Sequence, residues 1–113
     1  MFSRNKQPAI KSLIAQGSRI EGDVHFTDGL RIDGQVRGDV RAEPGQDGLL
    51  VISALARVEG AVHAAHVIVN GEVVGPVHAS QLLELQPKAR ITGDVHYKAL
   101  EMHQGATICG GMV

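Results

Sequence analysis

The amino-acid sequence predicts an all-β fold, a three-sided, single-stranded parallel β-helix of about six turns. Three observations carry that expectation. A glycine-centred phrase recurs at a near-constant interval, short runs alternate apolar and polar residues, and bulky aromatic residues are scarce.

The phrase is Gly-x-Val-(His/Arg). It occurs as Gly22-Asp-Val-His25, Gly38-Asp-Val-Arg41, Gly60-Ala-Val-His63, Gly75-Pro-Val-His78 and Gly93-Asp-Val-His96, with a degenerate sixth copy at Gly110-Gly-Met-Val113. Successive glycines stand 16, 22, 15, 18 and 17 residues apart. The long interval holds Glu43-Pro-Gly-Gln-Asp-Gly48, whose Pro and Gly mark an inserted loop. Without it the period is about 17 residues throughout, room for three short strands and three corners.

Each phrase follows a β-branched residue placed two positions before its glycine: Ile20, Val36, Val58, Val73, Ile91 and Ile108. Upstream lies an apolar pair at period two: Leu30 and Ile32, Leu50 and Ile52, Val67 and Val69, Leu83 and Leu85, Leu100 and Met102. Both features are strand signatures. Stacked turns would place equivalent residues about 4.8 Å apart, building inward ladders of Ile, Val and Leu. The glycines suit corners that demand positive φ or close backbone approach. An antiparallel sandwich would also alternate, but it predicts no fixed period and no glycine in register.

With 113 residues the chain has room for one ordinary domain. Aromatic residues make up 3% and Trp is absent, so core volume must come from medium-sized aliphatics in a thin, regular interior. A formal net charge of -1 with scattered Lys and Arg gives no basic face for nucleic acid. The single Cys109 rules out an internal disulfide and suits a reducing compartment. No stretch is long and apolar enough for a transmembrane helix, and the N-terminus lacks the apolar run of a secretory signal. The expected location is the cytoplasm.

Candidate chemistry is thin. His25, His63, His78 and His96 each follow an inward Val, so alternation turns them outward, and the last three should form a ladder at the strand spacing. Aligned imidazoles can bind a transition metal or sense pH. Arg41 at the same repeat position, with no carboxylate or thiolate to complete a ligand set, favours a solvated surface ladder, and no metal is expected. Asp23, Asp39 and Asp94 recur beside glycine at convex corners that offer no cleft for acid–base work, and a turn Asp commonly bonds its own backbone. Cys109 follows the inward Ile108 and reads as a packing or corner residue. No phosphate-binding loop with its Lys is present, so neither a cofactor nor a catalytic residue is expected. A hexapeptide-repeat acyltransferase is the competing enzyme reading. It requires a strict period of six, whereas the step is six from Ile52 to Val58 but four from Ile32 to Val36. A β-helix that binds a partner without polymerising is the third reading.

The two ends of such a coil expose unpaired backbone and a cross-section of apolar core, and solenoids normally cap them with polar repeats. Here Ala106-Thr-Ile-Cys-Gly-Gly-Met-Val113 and Ser12-Leu-Ile-Ala-Gln-Gly17 are both uncharged, and no amphipathic helix follows the last repeat. The predicted assembly interface is therefore Leu13, Ile14 and Ile20 at one end, and Ile108, Met112 and Val113 at the other.

The segment Ser18-Arg-Ile-Glu-Gly-Asp-Val-His25, followed by Gly29-Leu-Arg-Ile-Asp-Gly-Gln-Val-Arg-Gly-Asp-Val40, resembles the bactofilins, bacterial polymer-forming cytoskeletal proteins. The resemblance spans about residues 12 to 112, its paired Ile-x-Gly-x-Val phrases being the most specific part. It implies a right-handed β-helix, nucleotide-independent assembly into non-polar filaments, and roles in cell shape, stalks or polar organisation. It further implies partners among peptidoglycan synthesising or cleaving enzymes and at the cytoplasmic membrane. Many bactofilins carry longer N- and C-terminal extensions, so partner binding through a C-terminal tail is not carried over. The expected division is a short tail over residues 1–11 and a polymerisation domain over 12–113. Met1, Phe2, Arg4 and Lys6 in that tail combine an aromatic anchor with cations and resemble the membrane-targeting peptide of many bactofilins. Each copy would bind only marginally, and a filament would convert that into avidity.

Overall fold

The structure, a computed structural model, describes residues 10–44 and 48–112. It contains fourteen strands and no helix among these residues. All strand pairings are parallel, and three strands make each turn. The first turn consists of β1 (Ile10–Ile14), β2 (Arg19–Glu21) and β3 (Val24–Phe26), the second of β4 (Gly29–Ile32), β5 (Gln35–Arg37) and β6 (Val40–Ala42). Then follow β7 (Leu49–Ile52), β8 (Arg57–Glu59), β9 (Val62–Val69), β10 (Glu72–Val74), β11 (Val77–Leu85), β12 (Arg90–Thr92), β13 (Val95–Met102) and β14 (Thr107–Cys109). The long strands β9, β11 and β13 each close one turn and open the next, which gives a β-solenoid of about six turns, as the repeat predicts. The first strand starts at Ile10, two residues before the expected domain boundary.

Registers follow the repeat. Ile20, Val36, Val58, Val73, Ile91 and Ile108 form one unbroken ladder. Leu30, Leu50, Val67, Leu83 and Leu100 form a second. A third runs from Val24 through Val40, Val62, Val77 and Val95 to Met112. In the middle turns these side chains are fully buried, and no polar or charged residue is buried with them. Each such Val or Leu contributes about 1.5–3 kcal/mol by leaving water, so the narrow core is stabilised mainly by repetition, with Phe26 its one buried aromatic ring among the described residues.

Corners explain both the glycines and the uneven period. At Gly60 φ is 153°, and a Cβ would overlap the carbonyl of Gly38 one turn below. Gly38, Gly75 and Gly93 meet the same condition, so both physical reasons expected for a corner glycine apply at once. The interval varies in two places. The step from Val69 to Val73 is four residues and that from Leu85 to Ile91 six, and β11 carries Ser80 and Gln81 where β9 has Ala65 alone. That last feature is a β-bulge, one extra residue absorbed without shifting the inward set. The six-residue loop predicted between β6 and β7 falls where the sequence places it, and its residues 45–47 lie outside those described.

Candidate functional site

The open ends differ from the middle at identical repeat positions. Ile52, Val69 and Leu85 are fully buried, while Met102, next in the same row, is 45% exposed. Met112 continues the row of fully buried Val62, Val77 and Val95 and is 49% exposed. Leu100 and Ile108 are half-buried beside them. At the opposite end Ile20 and Val24 are half-buried. Ile14 is buried, in register with Ile32. Two apolar cross-sections of the core therefore reach the surface, one at each end.

Of the residues the sequence assigns to the interface, Ile14, Ile20, Ile108 and Met112 belong to inward rows of the terminal turns. Leu13 pairs with Arg31 on the outer face and is 58% exposed, so it sits on the rim and not in the cross-section. Val113, and the tail residues Met1, Phe2, Arg4 and Lys6, lie outside the described residues.

The outward histidines form the ladder that alternation predicts. His25 pairs with Arg41, Arg41 with His63, His63 with His78, and His78 with His96. The rings of His63 and His78 stack with centroids 4.4 Å apart and planes 6° from parallel, and those of His78 and His96 at 4.4 Å and 7°. Burial holds the His63 imidazole below its ordinary pKa, helped by His78 and Arg41. The same cause, followed by His96 and Arg41, lowers His78. Parallel rings at this spacing do not converge their nitrogens on a common point.

Two expectations need correction. The corner aspartates bond the next turn and not their own: Asp23 Oδ1 accepts the N–H of Asp39 at 2.9 Å, Asp39 Oδ1 that of Ala61 at 2.9 Å, and Asp94 Oδ1 that of Gly111 at 2.8 Å. The bond from Ala61 is the main reason the Asp39 carboxyl lies below the usual range. Stacking brings an orphan corner N–H over each carboxylate, a partner no single-turn view contains. A groove of about 670 Å³ runs beside the histidines, lined by small residues such as Ala64, Ala65 and Ala79 and by Ser80, Tyr97 and Lys98. Cys109 pairs with Thr92 on the outer face and is exposed, so it packs against nothing in the core.

One cluster escapes the sequence reading. Glu84, Glu101 and His103 bring ligand atoms within 4.8 Å of one another on the outer face, with His103 Nε2 3.3 Å from Glu84 Oε2. Its signal was the in-register pair Glu84 and Glu101, one turn apart at the same repeat position.

The fold and its exposed core rows define a class first, a parallel β-solenoid whose terminal turns present apolar surface. A family model described as "Bactofilin: Polymer-forming cytoskeletal" matches residues 12–113. Bactofilin BacO of Myxococcus xanthus (strain DK1622) is 24% identical over 111 residues, covering 98% of this chain and 85% of that protein. The chain belongs to the bactofilin family of polymer-forming cytoskeletal proteins. No solved structure matches it. Among the described residues no helix is long and apolar enough to cross a membrane.

Proposed function

We propose that this bactofilin assembles end to end into filaments through its open terminal turns and serves as a cytoplasmic scaffold. The observation that carries the reading is the exposure of Met102, Ile108 and Met112 in rows that are fully buried in the middle turns. A second copy stacked on these rows would bury them and pair the free backbone edge, the association that open sheet edges template. Assembly then draws on strand pairing and aliphatic burial, with no role for a nucleotide. The tail residues Met1, Phe2, Arg4 and Lys6 are the proposed contact with the inner face of the cytoplasmic membrane, each weak alone and strong when a filament displays many. Cell-wall synthesising or cleaving enzymes are the partners such a scaffold would position.

Negative-stain electron microscopy of the purified chain tests the reading. Filaments should form in buffer with chelator and without nucleotide. Filaments that appear only after ATP, GTP or a divalent ion is added would overturn it.

A further inference from the structure

The outward ladder of His25, Arg41, His63, His78 and His96 runs through five successive turns, and its last three rungs do something the others do not. Their rings lie face to face. Stacking at 4.4 Å suits neutral imidazoles, whose contact is dispersive. It does not suit imidazolium rings, which would hold like charges at that distance with little water between them. The surroundings sharpen the conflict. Below His63 stands the permanent cation Arg41, only partly offset by Asp39, whose Oδ2 lies 3.4 Å from Arg41 Nη2. Lys98, the phenol of Tyr97 and Glu43 line the same groove, and His25 stands beyond Arg41. Two cations and two carboxylates therefore lie near the three stacked rings.

We propose that the His63–His78–His96 stack is a proton-operated switch: neutral, its rings stay closed upon one another, and protonated, they part and widen the groove lined by Ala64, Ala79 and Tyr97. The middle rung governs it. A proton on His78 meets an imidazole on both sides, and one on His63 meets His78 on one side and the Arg41 guanidinium on the other. The linkage has a definite sign. Burial and neighbouring cations depress the His63 and His78 midpoints in the folded chain, while an open or unfolded chain titrates near 6.5. The open state thus binds more protons in mild acid. Closure is complete above about pH 6.5 and is lost as pH falls through the depressed midpoints.

Histidine C2-proton exchange read by mass spectrometry gives the midpoint of each ring in the assembled or unassembled protein. The expected result is a midpoint for His63 and His78 below the ordinary histidine value, and a rise of the His63 midpoint in His78→Gln. Amide exchange, corrected for intrinsic rates, should quicken in residues 62–69, 77–85 and 95–102 on going from pH 7.5 to 5.5, with residues 29–42 unchanged. In His78→Phe, which can stack but cannot take a proton, that quickening should shrink severalfold. A His63 midpoint at or above the ordinary histidine value, no response of His63 to His78→Gln, or protection that is unchanged at pH 5.5 would each overturn the switch.

Discussion

Val73 and Ile108 occupy the same repeat position on the same face, yet Val73 is wholly buried and Ile108 only half so. The pair Leu85 and Met102 shows the contrast more strongly, at 0% and 45% exposure. Nothing in the side chains accounts for it. A middle residue has a turn above and a turn below, and a terminal residue has one neighbour. In a globular domain the core is closed by elements of different sequence. In this coil only another turn of the same kind can close it, and among the described residues the terminal turns have such a neighbour on one side alone. The comparison therefore separates residues that hold the fold from residues that the fold leaves available.

Substitutions at equivalent positions can break that separation. The largest expected effect is at Val73. Val73→Lys buries an unpaired ammonium between two turns, costing several kcal/mol, of the order of the whole stability of a small domain. Loss of the β-sheet circular dichroism signal is the expected outcome, and a folded Val73→Lys chain would mean that middle turns open readily.

A corner pair comes next. Gly60→Ala forces a Cβ onto the Gly38 carbonyl and strains φ, so it should cost more than about 3 kcal/mol. Gly22→Ala carries a similar φ strain, but its Cβ would meet nothing within 4 Å because no turn among the described residues lies beneath it, and about 1–3 kcal/mol is expected. Thermal unfolding of a non-assembling background ranks the two, and equal costs would show that strain alone governs the corners.

Ile108→Lys should leave the fold nearly intact, since a terminal Lys can direct its ammonium to water along its stem. Two such ends would have to desolvate like charges to meet. A β-rich species eluting as a monomer or dimer is expected in size-exclusion chromatography, the dimer meaning that the opposite end still pairs with itself. Normal filaments from Ile108→Lys would exclude the C-terminal turn from the contact.

The smallest effect on fold and assembly is expected from deleting residues 1–7, which precede the first turn. Filaments should persist while co-sedimentation with anionic vesicles is lost. Unchanged co-sedimentation would refute the membrane contact proposed for Phe2, Arg4 and Lys6.

Much of this molecule was legible in the sequence because a stacked coil makes each turn repeat the same physical problem. Period-two alternation set which side chains face in, and the glycine at each corner counted the turns. The outer position of Leu13 was legible too. Ile14 precedes Ile20 by six residues, as Ile52 precedes Val58, so Leu13 matches the outward Val51. Reading Ser12–Gly17 only as an uncharged stretch hid that phase.

What the tertiary structure alone decided lies between turns. The repeat places His63, His78 and His96 at one position, but that their ring planes lie parallel is settled only when the three strands stack. Asp39 beside a glycine suggests a local turn bond, yet its acceptor reaches Ala61, 22 residues on, because stacking lifts that N–H above it. The groove beside Ala64 and Ala79 likewise exists because neighbouring turns leave small residues in line. A one-dimensional repeat records what each turn presents, and the contacts made one strand spacing away are settled when the turns are stacked.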